Sequence, residues 1–325
     1  VTVVGEGWDA KSNVGTFILS PTEVTQRTIS MEEDSMMENL LVAGLPTTAE
    51  ITDTTGIGIV YAEGRVTLNR VAIRNFEDET RAKPQRACLW AQDHPKASQC
   101  LFEGYGNSAG GGSASIGVVI GSNPDEAPAG WFFSANPNSL VDCTVYANIG
   151  VLYQDISGGS IVGGYYEILG DMPEGEDTAT IIVRQKSEID IGSAGIRMPK
   201  IANATLVVAL DVFVEADGVL IDSDPSGEAA EPQPLKSFQM TNTSIEVLGG
   251  VNGVRIVSRA SVSDRGQLSD IAISNVHIDG SPQAAVRVVA EASERNGVVR
   301  HVKITNLTMS WENAPLYGIA LEPAD

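Results

Sequence analysis

Side chains able to move protons are plentiful in this chain and loosely spread. Asp93 and His94 stand side by side in AQDHPKAS, with Lys96 two positions on. That is the composition of a general acid–base pair at a turn, although Pro95 also suits a plain polar turn. His277 and His301 fall on separate strand-like runs, and Cys88, Cys100 and Cys143 read as core thiols. None of these has metal-ligand spacing, so neither a metal nor another cofactor is expected. Cleavage by a carboxylate pair needs only two acids on one face. Asp142, Asp155, Glu167, Asp190, Asp211 and Asp217 lie on or beside strand-like runs, but among 42 acidic residues such a set selects little. Asp93, His94 and Asp155 are the candidates for acid–base work.

The aromatic distribution is more selective. Ten of the eighteen aromatics lie between Trp90 and Tyr166. Trp131-Phe132-Phe133 sits in the insertion GSNPDEAPAGWFFSANPNS, and Tyr165-Tyr166 follows later. Aromatic faces stack on sugar rings and also fill protein interfaces. Trp131, Phe132, Tyr153, Tyr165 and Tyr166 are the expected ligand face, and the expected ligand is a glycan.

What must position these residues is an internal repeat. IAISNVHIDGSPQAAVRVVA (271–290) holds alternating apolar residues, Asn275, Ile278, a turn at Gly280 and a restarting strand. The same pattern recurs around Asn306 and Asn242, and is read around Asn75 in 71–91 with Asp78 in the apolar place. The steps from Asn242 to Asn275 to Asn306 are 33 and 31 residues. A period-2 unit of roughly thirty residues cannot bury its apolar face alone, so the units must stack. Strand-opening small residues recur at Gly58, Ala87, Gly117, Gly150, Gly218, Gly253, Ala285 and Gly318, and 178–192 fills the doubled gap before Gly218. Asparagine tolerates the left-handed backbone region, and its amide can bond its equivalent in the coils on either side.

The pattern resembles the right-handed parallel β-helix proteins of the pectate-lyase-like superfamily. The resemblance implies an all-β, single-stranded solenoid of about ten coils with an asparagine ladder. The expected organisation is one β-helix domain over 1–325, irregular over 1–57 (where SMEEDSMMEN reads as a short helix or loop) and regular over 58–325. Residues 66–105 also resemble two coils of pectin methylesterases, through Gln85, Asp93, Cys100, Phe102, Gly104 and Tyr105. That family continues Gln-Asp-Thr where this chain has Gly106-Asn107-Ser108, and its second catalytic aspartate has no counterpart. The fold is therefore carried over and the esterase activity is not.

The net charge of −21 argues against nucleic acid and anionic membranes as partners, and no apolar run reaches membrane-spanning length. The chain opens on a strand and stops just after one, which reads as the central part of a longer polypeptide or as ends covered by partners. Resemblance to phage tailspikes, with no secretion signal visible, implies a homotrimeric receptor-binding tail protein. Such a protein would grip host surface polysaccharide, with or without cleaving it, beside other virion tail proteins and with no membrane insertion. A secreted polysaccharide lyase or glycoside hydrolase, and a structural spacer or adhesin, are the alternatives. The expected location is the virion tail or the extracellular space.

Overall fold

The computed structural model describes residues 1–9, 14–19, 27–44, 58–75, 87–92, 94–104, 114–122, 138–168, 177–187, 196–209, 216–226, 235–248, 251–259, 267–280, 282–290, 298–311 and 317–322. Strands pair in parallel throughout, except for one two-residue antiparallel pair, Trp8–Asp9 with Val14–Gly15, and no helix occurs among the described residues. Ten strands form one sheet and twenty form another. Each of coils 2 to 5 gives one strand to the ten-stranded sheet, then two to the long sheet, which bends around the turn between them. Coils 6 and 7 add a short third strand, and in coils 8 and 9 one continuous strand runs through the bend. The chain is a parallel β-helix.

Coils are numbered by their strand in the ten-stranded sheet. Coil 1 contributes Ile29–Met31, coil 2 Gly58–Ala62, coil 3 Ala87–Ala91, coil 4 Ile116–Gly121 and coil 5 Ile149–Gln154. Coil 6 contributes Thr178–Ser187, coil 7 Ala216–Ser226, coil 8 Asn252–Ser258, coil 9 Ala284–Ala290 and coil 10 Tyr317–Glu322. The strand Thr178–Ser187 is the coil expected in the doubled gap. Ser35–Glu38, within the acidic methionine-bearing stretch read as helix or loop, is a strand.

The two sheets differ in how they meet solvent. Strands of the long sheet alternate, as in Arg65–Asn69, so Val66 and Leu68 point inward while their neighbours face out. Strands of the ten-stranded sheet are buried on both sides in coils 2 to 5. Their sequences accordingly read as unbroken apolar runs. Inside lies the main core, which takes in Leu89, Val118, Val151, Ile181, Val219, Val254 and Val286. Outside, a second apolar set includes Tyr61, Trp90, Val119, Leu152, Ile182 and Leu220.

A column of left-handed residues marks the bend of the long sheet. Asn39, Arg70, Gln99, Asp142, Gly163, Asn203, Asn242, Asn275 and Asn306 all hold φ between +49° and +67°. Spacing along the column runs from 21 residues (Asp142 to Gly163) to 43 (Gln99 to Asp142), so the rungs stay aligned while excursions between them vary. Asn242 Nδ2 donates to Asn203 Oδ1 at 3.3 Å, Asn275 to Asn242 at 3.2 Å and Asn306 to Asn275 at 2.8 Å. The expected ladder is present, and its asparagines are exposed.

The repeat expected around Asn75 lies in a different register. Arg70, not Asn75, belongs to the column, and Asn75 is a buried residue one strand later whose N–H donates to Glu103 O at 2.8 Å. The cause is that both strands flanking the turn carry the same apolar alternation. Ile73 pairs with Val42 and Phe102 on the far strand, the position that Ile278 takes in its own coil. Gly117, Gly150, Gly218 and Gly253 do share an inward column, where a Cβ on Gly218 would lie 2.4 Å from Gly253 O and 2.6 Å from Ile245 Cγ2. Gly58 and Ala87 stand one position before that column.

Candidate functional site

Where the bend meets the outer face of the long sheet, a groove of about 540 Å³ opens. Coil 3 lines it with Gln99, Cys100, Leu101 and Glu103, coil 4 with Asp142, Thr144 and Tyr146, and Trp8 closes one side. The strand period produces this lining. Leu101 pairs with Thr144 and Glu103 with Tyr146, so alternate residues of both strands face outward. The next coil extends the surface, because Thr144 pairs with Tyr165 and Tyr146 with Glu167. Trp8 is held by Nε1–H donation to Arg70 O at 3.2 Å and packs on Leu41, Ala43 and Ala72.

Rings and acceptors alternate in this surface. Tyr146 and Tyr165 lie 6.0 Å apart between centroids, tilted by 58°. Tyr165 donates its hydroxyl to Glu167 Oε2 at 2.9 Å. Burial first, and then that bond to a carboxylate, push the Tyr165 phenol up to about 12, so it stays a donor near neutral pH. Glu103 is paired with Arg74. Asp142 is exposed at φ +49°, and Gly163 below it holds φ +67°, where a Cβ would lie 2.1 Å from the movable Asp142 Oδ1. Flat rings beside hydroxyl acceptors fit a sugar, whose C–H face stacks while its hydroxyls donate.

A second polar cluster lies on the outer face of the ten-stranded sheet in coils 6 to 8. Arg184 Nε meets Asp222 Oδ2 at 3.1 Å, Arg259 Nε meets Asp222 Oδ1 at 3.3 Å, and Arg255 Nε meets Asp217 Oδ2 at 2.7 Å. The Nη2 atoms of all three arginines turn to Asp177, at 2.6 Å from Arg184, 2.8 Å from Arg255 and 3.4 Å from Arg259. Asn252 Nδ2 donates to Asp217 Oδ1 at 2.7 Å. Burial raises Asp217 to about 6 against the pull of Arg255, and raises Asp222 against Arg184 and Arg259. Burial also opposes the charge on Asp177, but the arginines outweigh it and hold its pKa below the usual carboxylate value.

Among the described residues, those expected at a site are dispersed. Trp131, Phe132 and Asp93 lie outside the described residues, as do Asp190 and Asp211. Tyr165 does face outward. Tyr153 and Tyr166 are a correction: both are fully buried in the main core, so neither presents a ring to a ligand. Tyr166 follows Tyr165 directly, and the strand period sends the two to opposite sides. His94 opens the strand His94–Ser98 in coil 3. Asp155 follows the first strand of coil 5 as a buried carboxylate that accepts from Ser122 Oγ at 2.7 Å and from Lys186 N at 2.7 Å. Two rungs separate His94 from Asp155, about 10 Å along the axis, which is beyond direct proton transfer. Tyr146 belongs to the aromatic enrichment between Trp90 and Tyr166, whereas Trp8 and Glu103 had no signal in the sequence beyond their side-chain type. The arginine cluster had none either, since Asp177 and Arg259 meet across 82 residues.

No family model matches the chain, and no curated protein does. Among solved structures, the mannuronan C-5 epimerase AlgE4 A-module of Azotobacter vinelandii aligns over 100% of this chain and 90% of its own, at 10% identity and a TM-score of 0.42. The catalytic domain of a GH87 α-1,3-glucanase aligns over 94% of this chain and 58% of its own, at 10% identity and 0.38. Tailspike protein 3 of bacteriophage CBA120 aligns over 94% of this chain and 48% of its own, at 9% identity and 0.32. At such identities and scores the likeness says nothing about this chain's ligand.

Proposed function

We propose that the protein binds a polysaccharide along the groove of coils 3 to 5, as a homotrimeric receptor-binding protein of the phage tailspike type. The observation that carries this reading is the lining itself. Trp8 and Tyr146 offer ring faces, and Gln99, Asp142, Glu103 and Thr144 offer hydroxyl partners, in a volume suited to one or two sugar units. Rungs about 4.8 Å apart let the surface continue to Tyr165 and Glu167, so a chain running along the axis meets repeated contacts. The abundance of carboxylates favours hydroxyl-rich neutral units in this groove over anionic ones.

The test is glycan-array binding by the native protein, followed by titration of the best hit into Trp8→Ala and Tyr146→Ala. Each substitution should weaken binding by about 1–3 kcal/mol without changing oligomeric state. Unchanged affinity in both variants would place the ligand elsewhere. A stable 34.3 kDa monomer in sedimentation at micromolar concentration would remove the trimer from the reading.

A second reading, depolymerisation, has one observation in its favour: two carboxylates, Glu103 and Asp142, line the same groove. Mass spectrometry of the incubated glycan separates the two readings. Shortened products that disappear in Asp142→Asn would establish cleavage, and an intact glycan would leave binding alone.

A further inference from the structure

The arginine cluster of coils 6 to 8 is built like a receptor with its ligand in place. Each guanidinium is anchored at Nε by an aspartate of coil 7: Asp222 holds Arg184 and Arg259, and Asp217 holds Arg255. The two anchors are buried, at 2% side-chain exposure. With the Nε ends fixed, the Nη2 ends converge on one point, and the carboxylate of Asp177 occupies it. Asp177 differs from the anchors in being 23% exposed, and it stands before the strand of coil 6 rather than within it. Asn252, beside Asp217, has a buried Oδ1 with no hydrogen-bond partner among the described residues.

Charge shows what this arrangement favours. Three arginines and Lys186 against the two anchoring aspartates and Asp224 leave one positive charge, which Asp177 cancels. Planar guanidinium forks match a carboxylate in shape as well as charge, and their partial burial strengthens the contact. Were Asp177 to leave, the fork would hold an uncompensated charge in a poorly solvated place, which is costly unless another anion enters. The geometry therefore selects a single carboxylate, bound by exchange with the protein's own.

We propose that this fork is a carboxylate-binding site for an acidic sugar unit, with Asp177 as the occupant that a ligand carboxylate replaces. The sugar part of this inference rests on the glycan reading above; the carboxylate part does not. The net charge of −21 opposes a polyanion, so the matching glycan carries isolated uronate-type units among neutral ones.

The experiment compares D-glucuronate with D-glucuronamide, which differ only in the charged group, by calorimetric titration into the native protein and into Asp177→Ala. Native protein should bind glucuronate and not the amide. Asp177→Ala, relieved of its internal competitor, should bind glucuronate about tenfold tighter or better. Acetate should raise the melting temperature of Asp177→Ala by about 2–4 °C and leave the native protein unmoved. If Asp177→Ala does not fold, Asp177→Asn, which keeps the shape and removes the charge, takes its place. Equal affinity for glucuronate and glucuronamide in the variant, or no response to acetate, overturns the carboxylate site. An acetate response without native glucuronate binding overturns the exchange with a sugar. Titration of the best glycan-array hit into Trp8→Ala and Tyr146→Ala reports on the groove alone, so failure of the groove and failure of the fork are read separately.

Discussion

Asn306 Nδ2 donates to Asn275 Oδ1 at 2.8 Å across one rung, and both residues hold φ of +52°. Each asparagine therefore contributes a side-chain bond and a tolerance for the left-handed region. Two substitutions separate them. Asn275→Gly keeps the backbone freedom and loses the ladder bonds, and should cost about 0.5–1 kcal/mol because the ladder is exposed. Asn275→Ala loses both and should cost about 1–3 kcal/mol. Equal costs in denaturant melts would mean that the conformation contributes nothing.

The buried tyrosines give a prediction opposite to that for a ligand face. The hydroxyls of Tyr153 and Tyr166 are buried with no hydrogen-bond partner among the described residues. Tyr166→Phe removes an unsatisfied group and should be neutral or stabilising by up to about 1 kcal/mol, with glycan binding untouched. Tyr166→Ala should cost about 3–5 kcal/mol through the cavity it leaves. A clear loss of stability in Tyr166→Phe would reveal a bond to that hydroxyl.

Stability should depend on pH through the arginine cluster. Asp217 keeps its proton in the fold up to about 6, whereas the unfolded chain releases it near 3.8. Between these values the native state binds more protons, so stability falls as pH rises from about 4 to about 6 and is level above. Asp222, also raised, acts in the same direction. Asp177, lowered, acts in the opposite sense: its contribution is present above the ordinary carboxylate range and is lost as pH falls through its folded value. Melting temperatures across this range should therefore decline toward neutrality, and Asp217→Asn should flatten the decline. A curve rising from pH 4 to 6 would contradict the assignment.

Inward glycines set a steric limit. Gly218→Ala would bring a methyl to 2.4 Å from Gly253 O, in a turnless stretch where the backbone of the next coil cannot step aside. The expected cost is about 1–3 kcal/mol by overpacking. Gly7→Ala, with nothing within 4 Å of the added methyl, is the contrasting case in which only the left-handed backbone is at issue.

The fold was legible because stacking repeats one sentence. Asn242, Asn275 and Asn306 recur with matching neighbours, and such recurrence survives variable loops. Register was harder: Val71-Ala-Ile-Arg-Asn75 carries the same words as Ile271-Ala-Ile-Ser-Asn275, and nothing local says that one lies after the turn and the other before it. The same ambiguity decided the aromatics. In a pair such as Tyr165-Tyr166 one ring must point in, and only the column position tells which. The arginine fork was beyond reach of the sequence, since it is assembled from residues 177 to 259, whose neighbourhood exists only once the rungs are counted.

Counting rungs also turns the solenoid into a ruler. The groove occupies coils 3 to 5 and the arginine fork coils 6 to 8, on different faces. Their separation along the axis is therefore a whole number of steps of about 4.8 Å. Excising one complete coil between two column residues would restore every pairing below it while sliding one site past the other by a single step. A ligand that engages both sites would register that step as a changed preference for the distance between its neutral stretch and its acidic unit.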